Sequence, residues 1–277
     1  AAAVDVPVPD MLCSSFPPPN LAMCFHGGAW SFVRQHQLVK RNLVESLGGN
    51  PTMFLHLARK DAGGDVQPDD QLSIAAERLG VKPAHMKIAD GPDMAPPVCP
   101  KYTNVDTFDN STARLLSLAE HLSHRAGCMR LIRTEEAERT KKFDVVMLVR
   151  ADVSVYMPFK PYCMYSWKVP RRYKDWMFMV PGFIADDIFT KLHADFYECR
   201  RPLHLGVMTE DYSSPHHART EEDLSLPVLV THADSPNMIS KICADNFKNT
   251  GALPHDPTHA ELCGAITLEN DPNHPVS

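Results

Sequence analysis

The sequence has no long hydrophobic stretch: none of its apolar runs approaches the eighteen or so residues with which a helix crosses a bilayer. Because the chain starts with Ala-Ala-Ala and not with Met, we expect membrane attachment only through an anchor that is absent from this chain. Its basic residues are scattered and its net charge is -6, so a nucleic-acid partner is not expected. The length of 277 residues fits one large domain or two small ones.

No two cysteines have the two-residue spacing of a structural zinc site, so structural zinc is not expected. The chain nevertheless carries eight cysteines, which are Cys13, Cys24, Cys99, Cys128, Cys163, Cys199, Cys243 and Cys263. An even number spread along a whole chain favours disulfides formed in an oxidising lumen or after secretion, and reduced buried thiols are the alternative. The connectivity stays open, because eight cysteines allow 105 full pairings.

Residues 1–20 are rich in proline and lack a helical period, so we predict a stem or linker there and a single domain over 21–277. That domain begins with a strand at 21–25, a helix at 32–47 and a strand at 52–57. This βαβ unit implies a parallel sheet. Strands continue to alternate with helices along the chain, which predicts an α/β fold: a three-layer sandwich around a mostly parallel central sheet.

The second half of the domain shows further periodic segments. Apolar spacing predicts helices at 112–122 and 185–197 and strands at 143–149 and 177–180, the first of them buried. A polar helix is predicted at 134–142, before the buried strand. A late strand is predicted at 227–231.

Polar residues follow three of these strands. They are the clusters His26-Gly27-Gly28, Arg150-Ala151-Asp152 and His232-Ala233-Asp234. In an open α/β sheet, ligands bind at the carboxyl ends of the strands. We therefore expect the three clusters to converge at one edge of the sheet, and this convergence favours a functional interpretation over strands that simply end in solvent.

Arg150 and Asp152 are the central candidates. A carboxylate at the end of a buried strand is suited to hold a divalent metal that neutralises a diphosphate, and His232 is a further metal candidate. An Arg contacts phosphate in a bidentate manner. Because Arg150 occupies the first position of an Asp-x-Asp pattern, the positive charge can also come from Arg150 itself.

The segment His26-Gly27-Gly28 has three interpretations. In the first it resembles the oxyanion-hole loop of an α/β-hydrolase. In the second it is a glycine turn that lets a nucleotide approach the backbone, and in the third it is a tight turn without a ligand. A hydrolase of that class also needs a Gly-x-Ser-x-Gly nucleophile elbow, and the sequence contains none.

Acidic residues stand at two predicted helix starts. Asp186 and Asp187 open the helix at 185–197, and Thr220 with Asp223 resembles a capping box that places Glu221 and Glu222 at another helix start. One of these acids can act as general base on an acceptor hydroxyl. Favourable interaction with the helix N-terminus is the structural alternative.

The order of these pieces resembles a GT-A-type glycosyltransferase of a little-characterised, algal or viral sort. The stretches that carry the resemblance are 21–32, 41–47, 51–57, 143–153 and 176–187. The match is one of pattern and order over roughly residues 20–235, and it departs from the family at the Asp-x-Asp position.

The resemblance implies a sugar-nucleotide donor, a glycan or glycoprotein acceptor and a Golgi-luminal setting. Donor contacts are implied at Gly27, Gly28, Arg34 and Arg150, and the adjacent His26 is a further donor-binding candidate. Asp152 would face the metal, expected to be Mn²⁺, or the diphosphate. From their positions in the sequence, His232 is a further metal candidate, with a structural histidine at the edge of the core as the alternative, and Asp187, Asp186 or Glu222 is the candidate that activates the acceptor. The alternatives are an esterase that uses the His26-Gly27-Gly28 segment and a non-catalytic carbohydrate-binding domain.

Overall fold

The structure is a computed structural model in which strands alternate with helices, as the periodicity predicts. It describes residues 13–29, 32–59, 66–90, 99, 102–103, 111–153, 155, 158–168, 170–173, 176–200, 203–204 and 221–222. The strands are β1 (Leu21–Gly28), β2 (Thr52–Ala58), β3 (Met86–Ala89), β4 (Tyr102–Thr103), β5 (Val145–Arg150), β6 (Arg171–Tyr173), β7 (Met177–Pro181), β8 (Leu203–His204) and β9 (Glu221–Glu222). The helices are α1 (Phe32–Val39), α2 (Asp69–Arg78), α3 (Ser111–Arg139), α4 (Ala185–Ile188) and α5 (Thr190–Tyr197).

The described strands form a central mixed sheet in the order β3-β2-β1-β5-β7-β6-β9, and β4 pairs with β8 separately. The four strands from β3 to β5 are parallel to one another. β7 runs antiparallel to both β5 and β6, and β9 is parallel to β6. The sheet is therefore mostly parallel, as predicted.

The predicted βαβ unit is confirmed, and it shows why helices cover both faces of the sheet. Side chains alternate along β1, so that Met23 and Phe25 pack with residues of α1 and α2. Ala22 and Cys24 point to the opposite face, where they pack with residues of α3 and α4. A sheet that is buried on both faces in this way forms the middle layer of a three-layer α/β sandwich.

Two features differ from the sequence prediction. The helices expected at 112–122 and 134–142 are parts of the single helix α3, because the polar residues between them do not interrupt helical hydrogen bonding. The helix expected at 185–197 is two helices that meet at Phe189. The strand expected at 227–231 lies outside the described residues.

Three disulfides join the described cysteines: Cys13–Cys163, Cys24–Cys128 and Cys99–Cys199. This pairing agrees with the predicted disulfides and is compatible with a secreted or lumenal protein. Cys243 and Cys263 lie outside the described residues. In the part of the chain that the structure describes, no helix is long and apolar enough to cross a membrane.

The end of the proline-rich segment packs onto the domain. Cys13 is fully buried and bonded to Cys163, and the Tyr162 hydroxyl donates a hydrogen bond to the carbonyl oxygen of Phe16 at 2.7 Å. The backbone N–H of Asn20 donates to the carboxylate of Asp144 at 2.9 Å. Cys13 and Asn20 thus attach this end of the proline-rich segment to the domain, and residues 14–18 between them are exposed.

Candidate functional site

The candidate site lies where the strand order reverses. From β1 the chain proceeds through β2 to β3 on one side, and it returns to place β5 on the other side of β1. In open α/β sheets this reversal opens a crevice at the carboxyl ends of the two strands, and ligands bind there. His26 and Arg150 are direct partners in the β1–β5 register. Two of the three predicted clusters therefore meet, and the third, which contains His232, lies outside the described residues.

Arg150 and Asp152 bind each other. Nε of Arg150 donates to Oδ1 of Asp152 at 2.9 Å, and Nη2 donates to Oδ2 at 2.5 Å. Both residues are buried. The turn that joins them is fixed because the Ala151 N–H donates to the carbonyl oxygen of His26 at 2.8 Å. The carboxylate thus orients the guanidinium at the end of β5, and the two charges offset each other.

The described residues do not fit a manganese site. Both oxygens of Asp152 accept hydrogen bonds from Arg150, although a hard cation needs several free oxygen ligands. Among the described residues no group of three His, Cys, Asp or Glu side chains is placed to hold a metal ion. The described residues therefore offer Mn²⁺ no set of ligands.

Gly27 and Gly28 continue β1 and do not form the tight turn that was predicted. They pair with Leu57 and Ala58 of β2, and the Ala29 N–H donates to the Ala58 carbonyl oxygen at 2.9 Å. Gly27 has a φ of +107°, a conformation that L side chains rarely adopt, and a Cβ placed there would meet nothing within 4 Å. The glycine therefore leaves open space beside the backbone at the end of β1.

His26 is completely buried, and its imidazole has no hydrogen-bond partner at either nitrogen. Burial holds the pKa of His26 well below its ordinary value of 6.5. The positive charge of Arg125 and the neighbouring His121, His124 and Arg150 lower the pKa further. The side chain is therefore a neutral, unsatisfied imidazole in a basic environment.

This environment is a cluster that we call the basic layer, and it consists of His26, His56, His121, His124, Arg125 and Arg150. Three members form one row across the sheet, because His56 of β2 and Arg150 of β5 are the register partners of His26 on its two sides. Strand alternation directs all three to the face that α3 covers.

Helix α3 supplies the remaining members. Positions 121, 124, 125 and 128 recur at helical spacing and therefore lie on one face. The disulfide from Cys128 to Cys24 of β1 fixes this face against the sheet. Nδ1 of His124 is 2.9 Å from Nδ1 of His56, so one imidazole donates and the other accepts. The residues of α3 that face the sheet are therefore basic before Cys128 and apolar after it.

The close approach of α3 to the sheet depends on a glycine. A Cβ at Gly127 would lie 2.2 Å from Nε2 of His56, a distance that real Cβ atoms essentially never show. Cζ of Arg125 lies 4.7 Å from the centroid of the Phe178 ring, within the range of a cation–π contact. The basic layer is therefore tightly packed between helix and sheet.

Most members of the basic layer were not predicted from the sequence. His56 lies in the apolar strand β2, at the same distance from the strand end as His26 in β1. A histidine within an apolar strand was the signal by which His56 could have been identified. His124 and Arg125 were not identified because the helix was predicted to end at residue 122, and His121 lies at the end of that predicted helix. A helix face of His, His, Arg and Cys is a recognisable departure from an apolar stripe once α3 is seen as continuous.

The predicted catalytic acids do not join this site. β7 is antiparallel to β5, so its carboxyl end at Pro181 is the partner of Val145 at the start of β5. Asp186 and Asp187 follow the carboxyl end of β7. The length of β5, about 17 Å, separates this end of β7 from Arg150. Asp186 instead accepts a hydrogen bond from Nε of Arg133 at 2.9 Å.

The other predicted residues have separate positions. Glu222 lies in strand β9 and is the register partner of Arg172, which corrects the predicted helix start at 221–222. β9 is three strands from β5, a separation of about 14 Å. Arg34 lies in α1, the helix that follows β1, and its side chain is outside the described part of the chain.

Comparisons with known proteins do not assign the chain to a family. No family model matches it, and no match was found among curated proteins.

Proposed function

We propose that the protein is a glycosyltransferase that moves a sugar from a nucleotide-sugar donor to a glycan or glycoprotein acceptor. The observation that carries the proposal is the junction of β1 and β5. There a buried, oriented guanidinium and an open glycine stand together at the switch point of a mostly parallel sheet. Such crevices bind nucleotides in α/β proteins. The resemblance to GT-A enzymes supports the same function.

The proposed chemistry centres on the leaving group. Transfer of the sugar forms a bond between the acceptor hydroxyl oxygen and the anomeric carbon and breaks the bond between that carbon and the diphosphate. The hydroxyl proton passes to solvent, and negative charge develops on the diphosphate oxygen. Arg150 would stabilise this charge, and Asp152 would hold its guanidinium in position. Gly27 would let the donor approach the backbone, because no side chain occupies that space.

Two predicted parts of the mechanism, the general base and the metal, have no place at Arg150. Asp186, Asp187 and Glu222 are not assigned as general base, because the topology places them away from Arg150. Mn²⁺ is not assigned, because Asp152 is held by Arg150. We propose that positive side chains take the place of the metal. A Golgi location belongs to the same proposal and follows from the GT-A resemblance and the disulfides.

Nucleotide binding tests the proposal directly. Thermal-shift measurements of the full chain with UDP, GDP or CMP, each with Mn²⁺ or with EDTA, should show stabilisation by one nucleotide in both conditions. A ligand at 100 times its dissociation constant stabilises the folded state by about 2.7 kcal/mol. Stabilisation by none of the three nucleotides would refute the proposal.

Two matched variants locate the nucleotide site. Arg150→Lys keeps the charge but loses the bidentate contact, so nucleotide affinity and hydrolysis of the matching nucleotide sugar should both fall about tenfold or more. Arg133→Lys alters an Arg–carboxylate pair at the opposite edge and should leave both unchanged. Equal effects of the two variants would show that the nucleotide does not bind at Arg150.

A further inference from the structure

A groove between helices α1 and α2 has the features of a second binding site. Its volume is about 330 Å³, which is at the lower end of the range for small-ligand pockets. The walls of the groove include Val33, His36 and Gln37 of α1 and Gln71, Ile74 and Arg78 of α2. None of these six residues lies in β1 or β5, so the groove is separate from the proposed nucleotide site.

His36 brings a hydrogen-bond acceptor to the groove. Its Nδ1 lies 2.7 Å from the carbonyl oxygen of Val33, and because a carbonyl can only accept, Nδ1 carries the proton. The residue is only 6% exposed, and burial lowers the pKa of His36 from its ordinary value, as do the charges of Arg78 and Lys40. Nε2 of the neutral ring is therefore an acceptor, and it has no hydrogen-bond partner in the described part of the chain. Since buried polar groups nearly always have a partner, Nε2 requires a donor such as a hydroxyl group.

Arg78 brings a positive charge to the wall that α2 forms. It is the last residue of that helix and is exposed, and no described residue bonds to its guanidinium. A free guanidinium is suited to bind a carboxylate through two parallel hydrogen bonds. The exposed amides of Gln37 and Gln71 both donate and accept, as hydroxyl groups do. Val33 and Ile74 add apolar surface between these polar groups.

We infer that the groove binds a sugar acid of monosaccharide size, the chemical class of the uronic acids. Its carboxylate would pair with Arg78, a ring hydroxyl would donate to Nε2 of His36, and ring C–H groups would pack against Ile74. A phosphate fits less well, because it carries about two negative charges at pH 7 and the groove offers one guanidinium. This inference goes beyond the proposed function and does not depend on it.

Titration of the full, disulfide-bonded chain with methyl β-glucuronide, followed by NMR, tests the site. Methyl β-glucoside lacks the carboxylate, so it should bind about tenfold more weakly or less, and glucose 6-phosphate should also bind more weakly than the glucuronide. Binding of neither methyl β-glucuronide nor free glucuronate would overturn the inference. Equal binding of the glucoside, or tighter binding of glucose 6-phosphate, would overturn it as well.

Free glucuronate distinguishes the two sources of a sugar acid. The methyl group of the glucuronide stands where a glycan would continue. Binding of both compounds would support the inference with a residue of a glycan as the ligand. Binding of free glucuronate alone would support it with a free sugar acid as the ligand.

Arg78→Gln removes the charge from the groove and keeps a side chain that is favourable in a helix. The affinity for methyl β-glucuronide should fall about tenfold or more, because a charge-assisted contact is lost. Lys82→Gln is the matched control, since Lys82 is also an exposed cation but does not line the groove. An unchanged affinity in Arg78→Gln, or an equal loss in both variants, would overturn the inference.

His36 and Ile74 provide independent tests. His36→Leu removes the acceptor and should weaken binding of the glucuronide about tenfold or more. Ile74 is exposed, so Ile74→Glu does not disturb the core, and its carboxylate should repel the ligand while the neutral variant Ile74→Gln retains most of the affinity. If Ile74→Glu binds the glucuronide as Ile74→Gln does, the inference is wrong even where His36→Leu fails to fold.

Failure of the groove can be separated from failure of the proposed function. Arg78→Gln should leave stabilisation by the nucleotide unchanged, and Arg150→Lys should leave binding of the glucuronide unchanged. A loss of glucuronide binding in Arg150→Lys as large as that in Arg78→Gln would overturn the assignment of the sugar acid to the groove. Glucuronide binding that depends on Arg78, without binding of any nucleotide, would support the groove and refute the glycosyltransferase proposal.

Discussion

Acid should destabilise this protein through His26, and the variant His26→Leu should remove that sensitivity. The pKa of His26 is well below 6.5 in the folded protein because of burial and the positive charge of Arg125, His121, His124 and Arg150. An unfolded chain has the ordinary value of about 6.5. Below that pH the unfolded state binds a proton that the folded state does not, so the free energy of unfolding decreases as the pH falls.

The magnitude follows from proton linkage. For one group the free energy of unfolding changes by up to about 1.4 kcal/mol for each pH unit. The loss begins near pH 6.5 and continues until the pH reaches the folded-state pKa of His26. Above pH 6.5 both states are neutral at this position and the effect vanishes. His26→Leu should be at least as stable as the parent chain there, because it no longer buries an unsatisfied imidazole.

Urea unfolding at about pH 7.5 and at about pH 5 measures this effect. The buffer ions and the ionic strength should be the same at both pH values, so that only the protonation of the protein changes. The parent chain should lose more stability between the two pH values than His26→Leu, and the difference isolates the contribution of His26. Equal losses in the two proteins would refute a neutral, buried His26.

Two further predictions concern the packing around the basic layer. Replacing both Cys24 and Cys128 by Ala opens a loop of 104 residues, and the chain-entropy model predicts that the free energy of unfolding falls by about 4–5 kcal/mol. Urea unfolding under oxidising conditions measures this loss, and a loss below about 1 kcal/mol would contradict the prediction. Gly127→Ala would displace His56 from His124 and should lower stability by roughly 1–3 kcal/mol. An unchanged melting temperature for Gly127→Ala would show that α3 is not this close to β2.

Local sequence patterns predicted several elements correctly because they depend on neighbouring residues alone. The apolar pattern at 21–57, together with the glycines that interrupt it, specifies a βαβ unit independently of the rest of the chain. The apolar run ending at Arg150 is a buried strand for the same reason. The meeting of His26 with Arg150 was also predictable, since the carboxyl ends of parallel strands share one edge.

Strand direction was not predictable from the same patterns. The run at 177–180 has the same periodicity in a parallel or an antiparallel strand, and the choice depends on how the chain returns to the sheet. This choice moves Asp186 and Asp187 to the opposite edge from Arg150. The topology therefore brings some of the predicted site residues together and separates others.

The α/β class, the βαβ unit and the strand that carries Arg150 and Asp152 follow from the amino-acid sequence, because short-range periodicity and turn residues specify them. The pairing of Asp152 with Arg150 and the burial of His26 without a partner become visible in the folded chain alone. The same is true of the basic layer that α3 completes over the sheet. These facts depend on register and on the docking of a distant helix, and such long-range pairings leave no periodic trace in the chain.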